Sequence, residues 1–420
     1  MNHSRGFYIL WIGLTLSIFG SELTEFSIGL WLLKEQQSVL GYTTLYLILE
    51  LPAFFLIPFI GFAIDRFDKR KVLILSEFFA CIITALVLLS NHYGAMNTAI
   101  VYVYISLISI VGAVQMDCYA TLVYRIVPES ELKRANSLGS LSASLPQMLA
   151  PFIGAFLFSN FGLSTVLFLD SATFLVSALA TILLLKYVSI QFVDGECKKI
   201  SFDWKVIFPD IKSIKMVRNS QHLSYLMIYA SIKSTVIAAT LVSIVPYFTT
   251  YYTPTTAGYM MTIGGFAMVI TSLLSAWKPN IFNAIPITLL DLVYGISFIF
   301  MTQLPNLITI GFCIGSAFMV LRMSIIKMDT IWLCSVPKEY HGRVFAVRNM
   351  IKSFSTFTTY FITGFMLNHL VNSESFDLNT DIKALDYFYI IVILLTLPVL
   401  IFVGYKLTPK LNTEKLSWTI

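Results

Sequence analysis

Charged residues are scarce in this 420-residue chain, where Asp, Glu, Lys and Arg together make up 12% of the sequence. Hydrophobic residues make up 57%, and Phe alone occurs 34 times. A soluble globule cannot hide that much apolar surface, so the composition excludes a soluble protein and predicts a polytopic membrane protein.

The sequence also lacks the signatures of enzymes and cofactor sites. No phosphate-binding loop of the form G-x-x-x-x-G-K-[ST] is present, so ATP is not expected to drive the protein. The five Cys have no paired spacing, which predicts free thiols and neither a disulfide framework nor a metal site. The five His lie at or near loops, where they suit neither a metal nor a base inside a bilayer. We therefore expect no cofactor, no metal and no enzymatic activity.

Twelve apolar stretches of about 18 to 27 residues are each long enough to cross a ~30 Å hydrocarbon core. Of the 28 Lys and Arg, 22 fall on the side of both termini, two on the other side and four within the stretches. Basic loops stay in the cytoplasm, so both termini are predicted to be cytoplasmic. The stretches are residues 7–33, 40–64, 72–90, 97–120, 136–159, 163–186, 222–248, 257–277, 285–303, 307–331, 344–368 and 387–406.

The first stretch is too long for a cleavable signal peptide and is expected to remain as a helix. We predict a multi-pass protein of the bacterial cytoplasmic membrane, in contact with the lipid bilayer. Its net charge of +5 reflects orientation in that membrane, and we expect no nucleic-acid partner.

The most highly charged stretch is Gly61 to Lys71, GFAIDRFDKRK, between the second and third apolar stretches. Its pattern, G-x-x-x-D-R-x-x-[KR]-[KR], resembles the signature loop of the major facilitator superfamily. That resemblance implies an all-α fold of twelve transmembrane helices in two six-helix bundles, with a central cavity and alternating access. The signature loop usually has Gly three residues after its Asp, whereas this chain has Asp68.

A long polar segment, residues 187–221, predicts a linker between an N-terminal bundle, 1–186, and a C-terminal bundle with a short cytoplasmic tail, 222–420. A weak internal repeat supports this division, because Arg134 in RIVPESELKRANSL and Arg343 in SVPKEYHGRVFAV occupy equivalent loops. Together with GAFLFSNFGLSTVLFLDSATFLVSA, these loops resemble the macrolide-efflux and siderophore-exporter branch of the superfamily, which are drug:proton antiporters. Many proton-coupled members carry an Arg in helix 4, where this chain has Ser109 near the expected place.

Three carboxylates are the best candidates for proton coupling or substrate contact. Glu22 and Glu25 are three residues apart, so they share one face of helix 1. Glu50 of helix 2 is expected at a similar height, because both helices rise by about 1.5 Å per residue from the cytoplasmic side. Clustered acids in a cavity repel one another, and this favours proton binding by at least one of them. The alternatives are a wet cavity in which they bind cationic substrate groups without titrating, or a position of Glu25 near the outer surface.

The C-terminal half contributes two cations as further candidate site residues. Lys233 lies near the middle of helix 7 and Arg322 in the inner half of helix 10, and both are candidates to line the substrate cavity. The alternative is that these side chains snorkel to the nearer membrane surface. Asp170 and Asp291 lie near helix ends and are predicted to be structural.

The resemblance also implies a cytoplasmic gate around the signature loop, in which Asp65 caps the start of helix 11. It places a helix-4 acid, here Asp117, against Arg66 or Lys69 of the loop. The alternative is a simple solvated charge cluster. Besides these residues, we assign Gly61, Arg70, Arg134 and Arg343 to the gate.

We expect a monomeric, proton-coupled secondary exporter of a bulky amphipathic small molecule, such as a drug, macrolide-like compound, siderophore or peptide metabolite. An uptake permease for a small nutrient is the nearest alternative. A non-transporting membrane sensor or enzyme on the same fold is a third.

Overall fold

The computed structural model is all-helical and describes residues 2–36, 40–50, 55, 67–127, 132–187, 219–277, 285–303, 306–336, 341–372, 390–394 and 396–404. Every helix lies within one of the predicted apolar stretches or overlaps most of it. The twelve helices are α1 (Asn2–Gln36), α2 (40–50), α3 (Lys69–His92), α4 (Thr98–Ile126), α5 (Leu132–Phe161), α6 (Leu163–Tyr187), α7 (Gln221–Tyr251), α8 (Pro254–Trp277), α9 (Ile287–Gln303), α10 (Leu307–Ser335), α11 (His341–Asn372) and α12 (Ile390–Gly404).

Seven described helices are long and apolar enough to cross a membrane, judged by length and composition. They contain the segments Gly6–Glu35, Lys69–His92, Thr98–Met116, Leu163–Leu183, Gln221–Tyr251, Pro254–Ser275 and Leu307–Trp332. The all-helical class predicted from the sequence is confirmed. The count of twelve spans and the cytoplasmic position of the termini stay predictions.

Polar residues just before four helices fix where those helices begin. Asn97, Ser220 and Asn306 each accept a hydrogen bond from a backbone N–H in the first turn of α4, α7 and α10. Asp68 does the same for α3. Gly94 and Gly162, with φ of +67° and +79°, provide the left-handed residues that let α3 turn into α4 and α5 into α6.

The chain divides into two compact units, Met1–Ile207 with Pro254–Tyr259 (unit 1) and Phe208–Thr253 with Met260–Ile420 (unit 2). The predicted linker, 187–221, lies almost entirely outside the described residues, so the predicted domain bounds are not tested.

In unit 1, α1 packs against α4, α5 and α6, and α3 packs against α4 and α6. Gly13 permits the close approach of α1 to α6, because a Cβ there would lie 2.8 Å from the Cβ of Ala180. These contacts place the polar residues of α1 beside those of α3 and α6.

In unit 2, α9 packs against α10, and α7 packs against α10 and α11. Gly295 of α9 lies against Leu397 and Ile393 of α12, where a Cβ would meet their side chains at 3.0 and 3.1 Å. Pro246 lies inside α7 and removes one of its backbone hydrogen-bond donors.

Candidate functional site

A cavity of about 120 Å³ lies inside unit 1, among α1, α4 and α6. Its wall carries two carboxylates, Glu22 and Glu25, which stand one turn apart on α1 as their spacing predicts. The other lining residues are Leu14, Ser17, Ile18, Ser21, Ile108, Val111, Gly112, Gln115, Met116 and Phe174. The wall is thus an apolar surface with a few polar groups concentrated on α1.

The predicted trio of acids is brought together by the helix packing. Glu22, Glu25 and Glu50 are all partly buried, and Glu25 interacts electrostatically with both of the others. Gln147 of α5 interacts with the Glu22 carboxylate. No cation lines the described wall of this cavity, so repulsion among the three acids is not balanced there.

Gln115 of α4 supplies an unpaired hydrogen-bond donor to the cavity wall. Its side chain is 7% exposed, and its Nε2 has no hydrogen-bond partner among the described residues. Leaving a buried amide unpaired costs about 1 to 3 kcal/mol, so this donor is available to a water or to a ligand oxygen in the cavity. Sequence reasoning missed Gln115.

Ser109 of α4 lies near the place where the resemblance to the superfamily implies an Arg in many proton-coupled members. Its hydroxyl donates to the backbone carbonyl of Leu49 at 2.5 Å, one residue before Glu50. This hydrogen bond ties α4 to α2 without introducing a charge.

Glu77 of α3, a residue that sequence reasoning missed, is completely buried. Ser17 of α1 donates to its Oε2 at 3.1 Å and Ser177 of α6 donates to its Oε1 at 2.6 Å. The sequence did contain a signal for Glu77, because an acidic residue inside an apolar helix is costly and therefore marks a candidate functional residue.

Asp170 of α6 forms a second buried acid group near Glu77. It is 1% exposed, and Tyr104 of α4 donates to its Oδ2 at 3.4 Å. The Tyr104 hydroxyl also lies 3.2 Å from the hydroxyl of Thr84 on α3. Asp170 thus links three helices through hydroxyl groups.

Lys233 of unit 2 is a candidate cavity residue that the structure places in a buried ion pair. Its Nζ lies 2.5 Å from Oδ1 of Asp291 on α9, and both side chains are almost completely buried. Tyr229 donates to Oδ2 of Asp291 at 2.5 Å, and its hydroxyl lies 3.3 Å from that of Ser324. The Lys233 ammonium also lies 5.2 Å from the centre of the Tyr294 ring.

Three further cations among the described residues of unit 2 have polar partners. Arg322 of α10 donates through Nε to the Ser272 hydroxyl of α8 at 2.8 Å. Lys327 donates to the backbone carbonyl of Ile285. Arg348 forms a 3.0 Å ion pair with Asp329.

Most of the predicted gate lies outside the described residues. The structure does not describe Gly61, Asp65 and Arg66. It describes the backbone but not the side chains of Asp117, Arg134 and Arg343. Lys69 is buried in the first turn of α3.

The described end of the loop has a defined structure, because Asp68 caps α3. Asp68 accepts from the backbone N–H of Arg70 at 3.0 Å and from its guanidinium at 3.0 and 2.8 Å. Partial burial alone would raise the pKa of Asp68, but the hydrogen bonds and charge of Arg70 lower it below the ordinary value. The Asp that stands where the family usually has Gly therefore acts as a helix cap.

Comparison with known proteins assigns the chain to a family. The profile of the Major Facilitator Superfamily matches residues 10–360. An uncharacterized MFS-type transporter of Bacillus subtilis (strain 168), YkuC, is 26% identical over 177 residues, which cover 42% of this chain and 41% of the relative. Macrolide efflux protein A of Streptococcus pyogenes is 22% identical over 169 residues, covering 40% of this chain and 42% of the relative. The chain thus spans about two fifths of the length of the curated relatives it matches.

Solved transporter structures share the fold over nearly the whole chain. A bacterial homologue of the iron transporter ferroportin aligns with a TM-score of 0.71 at 15% identity, covering 95% of this chain and 98% of that one. A bacterial homologue of the human lysosomal transporter Spinster aligns with a TM-score of 0.72 at 12% identity, covering 98% and 99%. At these identities the likeness concerns the fold, but the match of the family profile is decisive: the chain belongs to the Major Facilitator Superfamily.

Proposed function

We propose that the protein is a proton-coupled secondary exporter of a bulky amphipathic small molecule, working by alternating access. Family membership supports transport, and the distant relationship to a macrolide efflux protein supports export of a macrolide-like compound. We place it in the bacterial cytoplasmic membrane as a monomer of twelve spans, with both termini cytoplasmic and residues 187–221 linking two six-helix bundles.

The observation that carries the proposal is the pair of carboxylates, Glu22 and Glu25, on the wall of the unit 1 cavity. Drug-sized ligands need pockets of about 300 to 1,000 Å³, so a cavity of about 120 Å³ is too small to enclose one. It has room for several waters. We therefore assign this cavity to proton coupling, with Glu22 or Glu25 as the proton acceptor and Glu50 as the neighbouring charge that tunes it.

The free energy of proton entry is large enough to drive export of a substrate. A proton moving inward down 100 mV releases about 2.3 kcal/mol, which supports a substrate gradient of roughly fiftyfold. A coupled exporter therefore needs at least one carboxylate that changes its protonation during the cycle.

We assign Arg322 and Lys233 to the C-terminal half of the transport machinery, and the signature loop with Asp117, Arg134 and Arg343 to the cytoplasmic gate. In unit 1, Arg66 and Lys69 are the proposed partners of Asp117. Arg322 is the better candidate for direct contact with an anionic substrate group, because the charge of Lys233 is already balanced by Asp291.

The proposal is tested by uphill efflux of a radiolabelled macrolide from proteoliposomes energised by a proton gradient. The Glu22→Gln, Glu25→Gln double variant should lose uphill transport while retaining part of the downhill exchange. Glu35→Gln, an exposed carboxylate at the end of the same helix, is the matched control and should transport like the wild type. Full uphill transport by the double variant would refute the assignment, and uphill accumulation in the opposite direction would establish an uptake permease.

A further inference from the structure

Glu77 is not used by the mechanism above, although its carboxyl group is among the most deeply buried of those that the structure describes in unit 1. Its side chain is 0% exposed, whereas Glu22 and Glu25 are partly exposed on the cavity wall. No described Lys, Arg or His forms an ion pair with it. An isolated ionised carboxylate in an apolar interior is so costly that such groups become neutral or acquire a partner.

The hydrogen bonds of Glu77 suit both a charged and a neutral carboxyl group. The ionised form accepts from Ser17 at Oε2 and from Ser177 at Oε1. Because a hydroxyl both donates and accepts, a protonated Glu77 can donate to one of the two serines and accept from the other. Neither form leaves an oxygen of Glu77 unpaired.

Ser17 connects Glu77 to the acidic cavity. Its side chain lines the cavity that also exposes Glu22 and Glu25, while its hydroxyl contacts Glu77. Ser177 contacts the opposite oxygen of Glu77 but does not line the cavity. A proton path also needs water, for which the cavity has room and the Nε2 of Gln115 on the same wall offers a hydrogen-bond donor.

We infer that Glu77 is a second proton-binding site, reached from the cavity through the hydroxyl of Ser17. In the transfer, the Ser17 oxygen accepts a proton from the cavity side and passes its own hydrogen to Oε2 of Glu77. The reverse transfer releases the proton, and no other bond changes. This inference rests on the proposed function, to which it adds a site that stores a proton away from the substrate.

The surroundings of Glu77 favour a proton over a metal cation. An O–O distance of 2.6 Å to Ser177 leaves no room for an ion between the two groups, and hard cations take six or more oxygen ligands. Among the described titratable groups on its own and neighbouring helices, those away from the helix ends include acids, phenols and thiols: Glu22 and Glu25 on α1, Cys81 on α3, Tyr104, Cys118 and Tyr119 on α4, and Asp170 on α6. The described cations of α1 and α3 lie in the first or last turn of their helices: Lys34 on α1, and Lys69, Arg70, Lys71 and His92 on α3.

Infrared spectroscopy of the reconstituted full-length protein tests the site without a transported substrate. A protonated carboxyl group gives a carbonyl stretching band that an ionised one lacks. We expect the neutral-pH spectrum to contain one such band that is lost in Glu77→Gln and kept in Glu35→Gln. An identical band pattern in Glu77→Gln would overturn the inference. A band that responds to sodium at constant pH would also overturn it, by showing a metal ion as the occupant.

The route is tested by the rate at which this band shifts after transfer to D₂O. Ser17→Ala should slow exchange about tenfold, as expected for the loss of one hydrogen bond worth about 1.4 kcal/mol. Ser177→Ala, the matched control, removes the other hydrogen bond and should change the rate by less than about twofold. Equal slowing in the two variants would overturn the route through the cavity.

These outcomes are independent of the transport assay. Loss of coupling in the Glu22→Gln, Glu25→Gln variant, together with no Glu77 band, leaves the proposed function intact and rejects the second site. The opposite result is also informative. If the Glu77 band is present and the double variant still transports uphill, the proposed coupling residues are rejected and the second site is kept.

Discussion

The buried carboxyl groups of the two units have different kinds of partner. In unit 2, Asp291 is paired with the Lys233 ammonium at 2.5 Å and with the Tyr229 hydroxyl. In unit 1, Glu77 and Asp170 are equally buried, but their described partners are hydroxyl groups. The charge of Asp291 is thus balanced by a neighbouring cation, whereas the hydroxyl partners of Glu77 and Asp170 supply hydrogen bonds without a balancing charge. Under the proposed function, we therefore expect the proton chemistry in unit 1 and a structural ion pair between Lys233 and Asp291 in unit 2.

The largest effect is expected from breaking the ion pair of unit 2. Asp291→Asn leaves Lys233 as a buried charge without a counterion, and Lys233→Met does the same to Asp291. Removing one partner of a buried pair costs about 3 to 5 kcal/mol of folding free energy. Thermal unfolding in detergent should show a large loss for each single variant.

The combined Lys233→Met, Asp291→Leu variant is the control for this experiment. It removes both charges, and such replacements are often neutral or stabilising. A double variant no more stable than either single variant would show that the pair is not the source of the loss.

A smaller effect is expected when the corresponding buried carboxyl group of unit 1 is replaced. Glu77→Gln keeps hydrogen-bonding groups for Ser17 and Ser177, so it should cost less than about 1.5 kcal/mol. The same unfolding measurement compares it directly with Asp291→Asn. Equal destabilisation by the two amide substitutions would mean that Glu77 is permanently charged, contrary to the comparison.

The smallest effect is expected at the exposed start of α3. Asp68→Ala removes a helix cap and the contact with Arg70, and should cost about 1 kcal/mol. The pKa of Asp68 is lowered in the folded protein, so its stabilisation is present above the ordinary Asp pKa of about 3.9. It is lost as the pH falls through the lower folded value. The stability difference between wild type and Asp68→Ala should therefore be constant near neutral pH and shrink in acid, and a constant difference down to the most acidic pH would contradict the cap assignment.

The sequence predicted the parts of this structure that depend on one helix at a time. Apolar length located the helices, and the three-residue spacing of Glu22 and Glu25 correctly placed both on one face. Partners on different helices depend on the rotation and packing of each helix, which a single sequence does not specify. This is why the pairing of Lys233 with Asp291 was not predicted, although both residues were noted. Glu77 could have been found from the sequence. A charged residue inside an apolar helix is costly, and this rule, which drew attention to Glu22, applies equally to Glu77.

The most direct test of the central claim is the proton flux that accompanies substrate movement. Proteoliposomes containing a pH-sensitive dye are given a macrolide gradient without any imposed proton gradient. In the wild type, downhill movement of the macrolide should drive protons in the opposite direction. The Glu22→Gln, Glu25→Gln variant should move the macrolide with no accompanying change in internal pH, whereas a wild-type proton flux in that variant would contradict the account.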